Sequence, residues 1–161
     1  MSMFDHPEYE WRETFFLFHR PDKRPMAADV KQSLMVANPG FEICELHGND
    51  EGELASMTVI ATETYSAIDL SYAESDDLGE QIAELKQELT PIDDDERKKM
   101  NRISGSDMRL DLLHFERMIP ESEDGDDTGG FFDPGALILI INTIAKMSEG
   151  VGVDPVSATI M

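Results

Sequence analysis

His114 and Glu116 alternate within the stretch LDLLHFER, and Asp111 stands three residues before the histidine. An imidazole beside carboxylates is the equipment of general acid–base chemistry, and the same residue types bind zinc. Side chains two apart on a strand share a face, so His114 and Glu116 can point together. The pattern stops short of a site, because no third metal ligand is identifiable; a strand-end histidine with one hydrogen-bond partner accounts for it more simply. Cys44 and His47 lie three apart in extended sequence and so on opposite faces, where a shared metal is not expected.

Two loops, GNDEGE and ESEDGDDTGG, place glycine among acids, as calcium loops do. An EF-hand needs glutamate six residues after its central glycine; Gly52 is followed there by Thr58 and Gly125 by Phe131. Gly129, Gly130 and Gly135 are not followed by the Lys and Ser or Thr of a phosphate loop, and neither GxGxxG nor GxSxG occurs. The expectation is a chain without cofactor or metal that is not an enzyme.

Charge is the strongest compositional signal. With 34 acidic against 13 basic residues the net charge is −21 over 161 residues, beyond what solubility asks of a small domain. Such a chain repels phosphate backbones, so direct nucleic-acid binding is not expected. Most of the excess lies in two stretches, Asp76 to Glu96 and Glu121 to Asp133. Between them Arg97, Lys98, Lys99, Arg102 and Arg109 form a basic seam. Glu80, Glu84 and Glu88 recur every four residues, which on a helix makes one row of carboxylates. Asp77, Glu80, Glu84, Glu88, Asp93, Asp94 and Asp95 are therefore the residues expected to meet a basic protein partner. Immunity proteins, inhibitors and nucleic-acid mimics use such surfaces. The function expected is a non-catalytic acidic binding or regulatory module. The alternatives are a small enzyme around His114 and Glu116, or an acidic solvated domain acting through self-association.

The elements that would position these residues follow from periodicity. The continuous apolar run Thr14 to Phe18 reads as a central strand covered on both faces. Pro25 opens a helix through Val36 with Ala27, Val30, Leu34 and Ala37 inward. Phe41 to His47 reads as a strand with Phe41 and Ile43 on one side and Cys44 and Leu46 on the other; Cys44 reads as a small core hydrophobe. Met57 to Thr62 and Ser66 to Tyr72 are further strands, the latter with Ile68, Leu70 and Tyr72 on one face and Asp69 and Ser71 on the other. Asp76 or Asp77 caps a helix with the stripe Leu78, Ile82, Leu85 and Leu89. Met108 to Ile119 is a strand apolar on both faces, which implies a bulge or cover on both sides.

The most apolar stretch, FFDPGALILIINTIAKMSEG, has Asp133 as N-cap, Pro134 at the first helical position and Gly150 to close in the left-handed conformation. These signals outweigh the strand preference of its isoleucines. Residues 1–161 read as one α+β domain. Its plan is a ferredoxin-like split βαβ antiparallel sheet with two helices on one face, and the C-terminal apolar helix is an addition that covers the other face. Residues 1–12 read as a loose arm, 91–107 as a charged connector with at most a helical turn, and 120–130 as an acidic loop.

The opening MSMFDHPEYEW lacks a basic segment followed by an apolar one, and Asp133, Asn142, Lys146 and Glu149 interrupt the longest apolar stretch, so neither an export signal nor a membrane span is expected. One cysteine fits a reducing compartment, and the expected location is cytoplasmic. A chain truncated before Asp133 is expected to aggregate or melt at a lower temperature; an equally stable truncated monomer would exclude the covering role of the helix.

Overall fold

The computed structural model describes residues 8–61, 65–72, 78–88, 93–106, 108–117, 135–156 and 159–160. In chain order these form β1 (Tyr9–His19), α1 (Ala27–Ala37), β2 (Phe41–Gly48), β3 (Leu54–Ala61), β4 (Ser66–Tyr72), α2 (Leu78–Glu88), α3 (Asp94–Ser104), β5 (Met108–Arg117), α4 (Gly135–Ser148), β6 (Val151–Asp154) and β7 (Thr159–Ile160). A short 3₁₀ turn, Pro21–Lys23, follows β1. No helix among the described residues is long and apolar enough to cross a membrane. The fold is α+β with an antiparallel sheet, as the alternation of strand and helix patterns implies.

The seven strands run in the order β2-β3-β4-β5-β1-β6-β7. A ferredoxin-like sheet would place one strand between β1 and β2, whereas β5, β4 and β3 all lie between them here. The reason is β4, which pairs with β5 along its whole length from Ser66↔Glu116 to Tyr72↔Leu110 and so displaces the β2–β3 hairpin outward. One split crossover is present: β5 and β6 are both antiparallel to β1 and flank it, with α4 between them in sequence.

Alternation along the strands divides the core. Phe15 and Leu17 of β1, Val59 of β3, Ile68 and Leu70 of β4 and Leu110 and Leu112 of β5 join α1 and α4 in one cluster. Phe16 and Phe18 point the other way and join Ile82 and Leu85 of α2, Ile103 of α3 and Val151 and Val153 of β6. The C-terminal helix thus shares a face with α1, while α2 and α3 cover the other face, contrary to the expected arrangement. Five apolar α4 side chains, Leu137, Ile140, Ile141, Ile144 and Ala136, are buried, together with Ser148. At about 1.5–3 kcal/mol for each large one, this burial outweighs the modest helix propensity of isoleucine. Asp133 and Pro134 lie outside the described residues.

Other expectations are revised. The strand begins at Tyr9, inside the stretch read as a loose arm, because β5 offers ladder partners as far as Tyr9↔Arg117 past a bulge between Trp11 and Glu13. β5 itself runs without a register shift, so its two apolar faces mean cover on both sides. Within the charged connector, α3 forms three turns: the Asp93 carboxylate accepts from the Glu96 N–H at 2.8 Å, and Met100 and Ile103 pack on the Phe18 cluster. On β2, Glu45 has a φ of 50° and the register shifts between Cys44 and His47. That irregularity returns Leu46 to the core side with Ile43 and leaves Cys44 exposed rather than buried. Ala37, read as inward, is exposed.

At the end of α4 the left-handed residue is Glu149, with a φ of 53°, not Gly150. The Gly150 N–H reaches back to the Ala145 carbonyl at 3.0 Å, a Schellman closure. Glycine is required at 150 for space: a Cβ there would stand 2.9 Å from the Phe18 carbonyl oxygen and 2.8 Å from Ser148 Oγ. Gly150→Ala is therefore expected to destabilise the fold by about 1–3 kcal/mol. Gly79→Ala on α2, where a Cβ meets nothing within 4 Å, should gain up to about 1 kcal/mol. Urea unfolding of the two variants checks the contrast, and equal effects would exclude it.

Candidate functional site

The carboxylate row is built on α2. Ile82 and Leu85 turn inward onto the Phe18 cluster, which leaves Glu80, Glu84 and Glu88 on the exposed side. Four residues advance a helix by about 6 Å, so the row places one carboxylate at nearly every turn. Among the described residues none of the three enters an ion pair. Each i,i+4 pair of like charges costs a few tenths of a kcal/mol, about 0.2–0.5. The other expected partner-binding residues divide. Asp77 lies outside the described residues. Asp93 caps α3, and Asp94 stands 3.5 Å from Arg97 one turn on. Asp95 is exposed.

The basic seam does not stay together. Arg97 and Lys98 are on the exposed side of α3. Arg109 belongs to β5, where its guanidinium lies 4.4 Å over the Phe16 ring, pairs with Asp111 at 2.7 Å and bonds Gln81 of α2. Arg102 faces a cleft of about 410 Å³ with Arg20, Lys23 and Glu149. There Lys23 pairs with Glu149 at 3.4 Å, and the C-terminal ends of α3 and α4 bring partial negative charge to the same wall. Arg20 is likewise paired, with Asp22 at 3.4 Å.

Strand geometry sets Asp111 on the face opposite His114 and Glu116, and those two are engaged by different neighbours. His114 pairs with Glu13 and lies on the α1 and α4 side with Leu110 and Leu112, buried, its Nδ1 3.4 Å from Glu13 Oε1. Glu116 accepts from Arg12 Nε at 2.7 Å. Asp111 projects from the opposite face toward Arg109. Burial raises the Glu13 carboxyl, with Asp154 adding to the effect, and burial also raises Asp111 against the pull of Arg109. Each carboxylate thus has a different neighbour. No group of three or more His, Cys, Asp or Glu side chains converges for a metal among the described residues. Although Cys44 is exposed, partial desolvation against its strand neighbours and the nearby Glu45, Asp69 and Glu42 push its thiol up, which disfavours the thiolate.

A polar cluster at the end of β1 has no signal in the sequence. His19 is buried, and its Nδ1 donates to the Arg20 carbonyl at 2.7 Å. Because that carbonyl can only accept, the proton is on Nδ1, and Nε2 accepts from the Tyr72 hydroxyl at 2.8 Å. Arg24 lies 4.4 Å above the Tyr72 ring and donates twice to the Leu54 carbonyl. The cluster ties the β1 end to β4 and to the start of β3. Both imidazole nitrogens are occupied, so it is a clamp rather than a proton-transfer site.

Burial lowers the His19 pKa, with Arg24 acting in the same direction against the Arg20 carbonyl; burial raises that of Tyr72. The unfolded chain takes up the histidine proton near about pH 6.5, whereas the folded chain does so only at lower pH. The clamp therefore contributes its full stability above that unfolded value and loses it as pH falls toward the lowered folded pKa. His19→Gln should be less stable than the parent, and the gap should shrink between about pH 7 and about pH 5. Tyr72→Phe, which leaves Nε2 without its donor, should cost about 1–3 kcal/mol at neutral pH. Denaturation curves across this range check both, and a gap independent of pH would exclude the titration of His19.

Comparison with protein-family models, curated proteins and solved structures finds no match to this chain.

Proposed function

We propose that this chain is a non-catalytic binding or regulatory module whose α2 face engages a basic protein surface. The observation that carries the reading is the row Glu80, Glu84 and Glu88, exposed and without an ion pair among the described residues, while Asp93 and Asp94 are committed to α3. A cationic partner would relieve the repulsion along the row as it binds, so part of the energy of association comes from a cost already present in the free helix. The −21 net charge adds long-range steering, which speeds encounter and weakens as salt rises. The proposed partner surface carries lysine or arginine at a spacing that meets successive turns of α2. Nucleic acid and membrane have no part in this reading.

Binding of a short oligolysine at low salt tests the placement. The triple variant E80Q/E84Q/E88Q is expected to weaken binding about tenfold, at roughly half a kcal/mol per carboxylate. The variant E10Q/D29N/E42Q, which removes the same charge from other exposed positions, should weaken it far less. Equal losses would mean that total charge alone attracts the peptide and would remove α2 as the site.

A further inference from the structure

α1 is apolar on two sides. Ala27, Val30 and Leu34 face the core, yet Met35 and Val36 lie 43% and 78% exposed. With Ala28, Leu46 and Gly52 they line a groove of about 730 Å³ between the outer side of α1 and the β2–β3 hairpin. Met26, 42% exposed, adjoins it: its Cε would lie 3.0 Å from a Cβ at Gly52. Three of the seven large exposed hydrophobic side chains among the described residues thus gather in one place. Scattered singly they would need no explanation, but a contiguous patch in a strongly charged chain marks a contact surface, and methionine adapts readily to a partner's shape.

The surroundings restrict what can cover it. Among the described residues Lys31, on the α1 wall, is the only charged one of the lining. The hairpin wall itself is Leu46, Gly48 and Gly52, and beyond it the turn carries Asp50 and Glu51, both exposed, as an acidic rim. That turn is fixed by Asn49 Oδ1, which accepts from the Glu51 and Glu53 N–H groups at 3.0 and 2.9 Å. A second copy of this chain would bring another −21 to an acidic rim, so self-association is opposed by charge. An added strand is opposed by geometry, because the positive φ at Glu45 and the register shifts around His47 break the outer edge of β2.

We propose that this groove docks an amphipathic helical segment of a basic partner, with its apolar face on Met35, Val36 and Leu46 and its cations over Asp50 and Glu51. The proposal shares with the preceding reading the premise of a cationic partner. It concerns a separate surface, since α1 and α2 lie on opposite faces of the sheet.

The test uses the full chain and two peptides of identical leucine and lysine content, one with leucines at i, i+3, i+4 and i+7 and one scrambled. Calorimetry and amide chemical shifts report binding and its location, and sedimentation reports mass. The amphipathic peptide is expected to bind about tenfold tighter than its isomer, with shifts concentrated between Ala27 and Val36 and between Leu46 and Gly52. M35Q/V36N should abolish that preference while keeping the parent's oligolysine affinity and, because both side chains are exposed, its unfolding midpoint. E80Q/E84Q/E88Q should keep the preference even if it weakens both peptides. Equal binding of the isomers, an unchanged preference in M35Q/V36N, or loss of the preference only in the α2 variant would overturn the proposal. So would displacement of the peptide by decanoate, which would make the groove a lipid site, or a doubled mass that M35Q/V36N returns to monomer.

Discussion

The fold depends on β1 being satisfied on four sides at once. Its two edges are hydrogen-bonded by β5 and β6, and its two faces carry Phe15 and Leu17 toward α1 and α4, and Phe16 and Phe18 toward α2 and α3. A segment paired along both edges from Phe16 to Phe18 and apolar in succession has no stable position except the middle of a covered sheet. Each helix pair has its place because β1 presents a full row of aromatic and aliphatic groups in both directions. The Gly150 contact with the Phe18 carbonyl belongs to the same constraint: the chain leaving α4 must come close enough to β1 for β6 to pair with it.

Charge is accommodated around this core rather than within it. Carboxylates occupy the outer side of α2, the first turn of α3 and the tip of the β2–β3 hairpin, where water or a helix N-terminus stabilises them. Asp69 lies deeper and receives the Thr58 hydroxyl at 2.6 Å. Arg109 is half-buried because Phe16, Asp111 and Gln81 engage its face and its edges together. The acidic exterior and the apolar interior are thus nearly independent designs, and only a few cations bridge them.

Elements with one buried face were legible in the sequence. The alternation of Ile68 and Leu70 with Asp69 and Ser71 and the stripe Leu78, Ile82, Leu85 are legible because burial imposes a period on the order of residues, although β4 also buries Ala67 on its other face. Strand order was not legible, since the choice of β4 rather than the hairpin as neighbour of β5 depends on contacts distant in sequence. α3 was hidden because two apolar residues suffice when a cap and a favourable dipole support them. The side on which Leu46 and Cys44 fall turns on a positive φ at Glu45, where no glycine signals it. The carboxylate row needed only a period of four and was visible at once. The His19 and Tyr72 pair joins residues 53 positions apart, and the groove beside Met35 and Val36 needs the hairpin as its second wall, so neither has a local signature.

The position of β1 also has a consequence in time. Its strand partners arrive late: Arg12 and Glu116 are separated by 104 residues, and β6 follows further still. A growing chain carries the run FFLF without its ladder while the β2–β3–β4 meander can already form beneath α1. Long-range pairing of this kind slows folding and prolongs the exposure of sticky segments. During that interval the mutual repulsion of so many carboxylates keeps neighbouring unfinished chains apart, so the acidity that contributes little to the finished core protects the route to it.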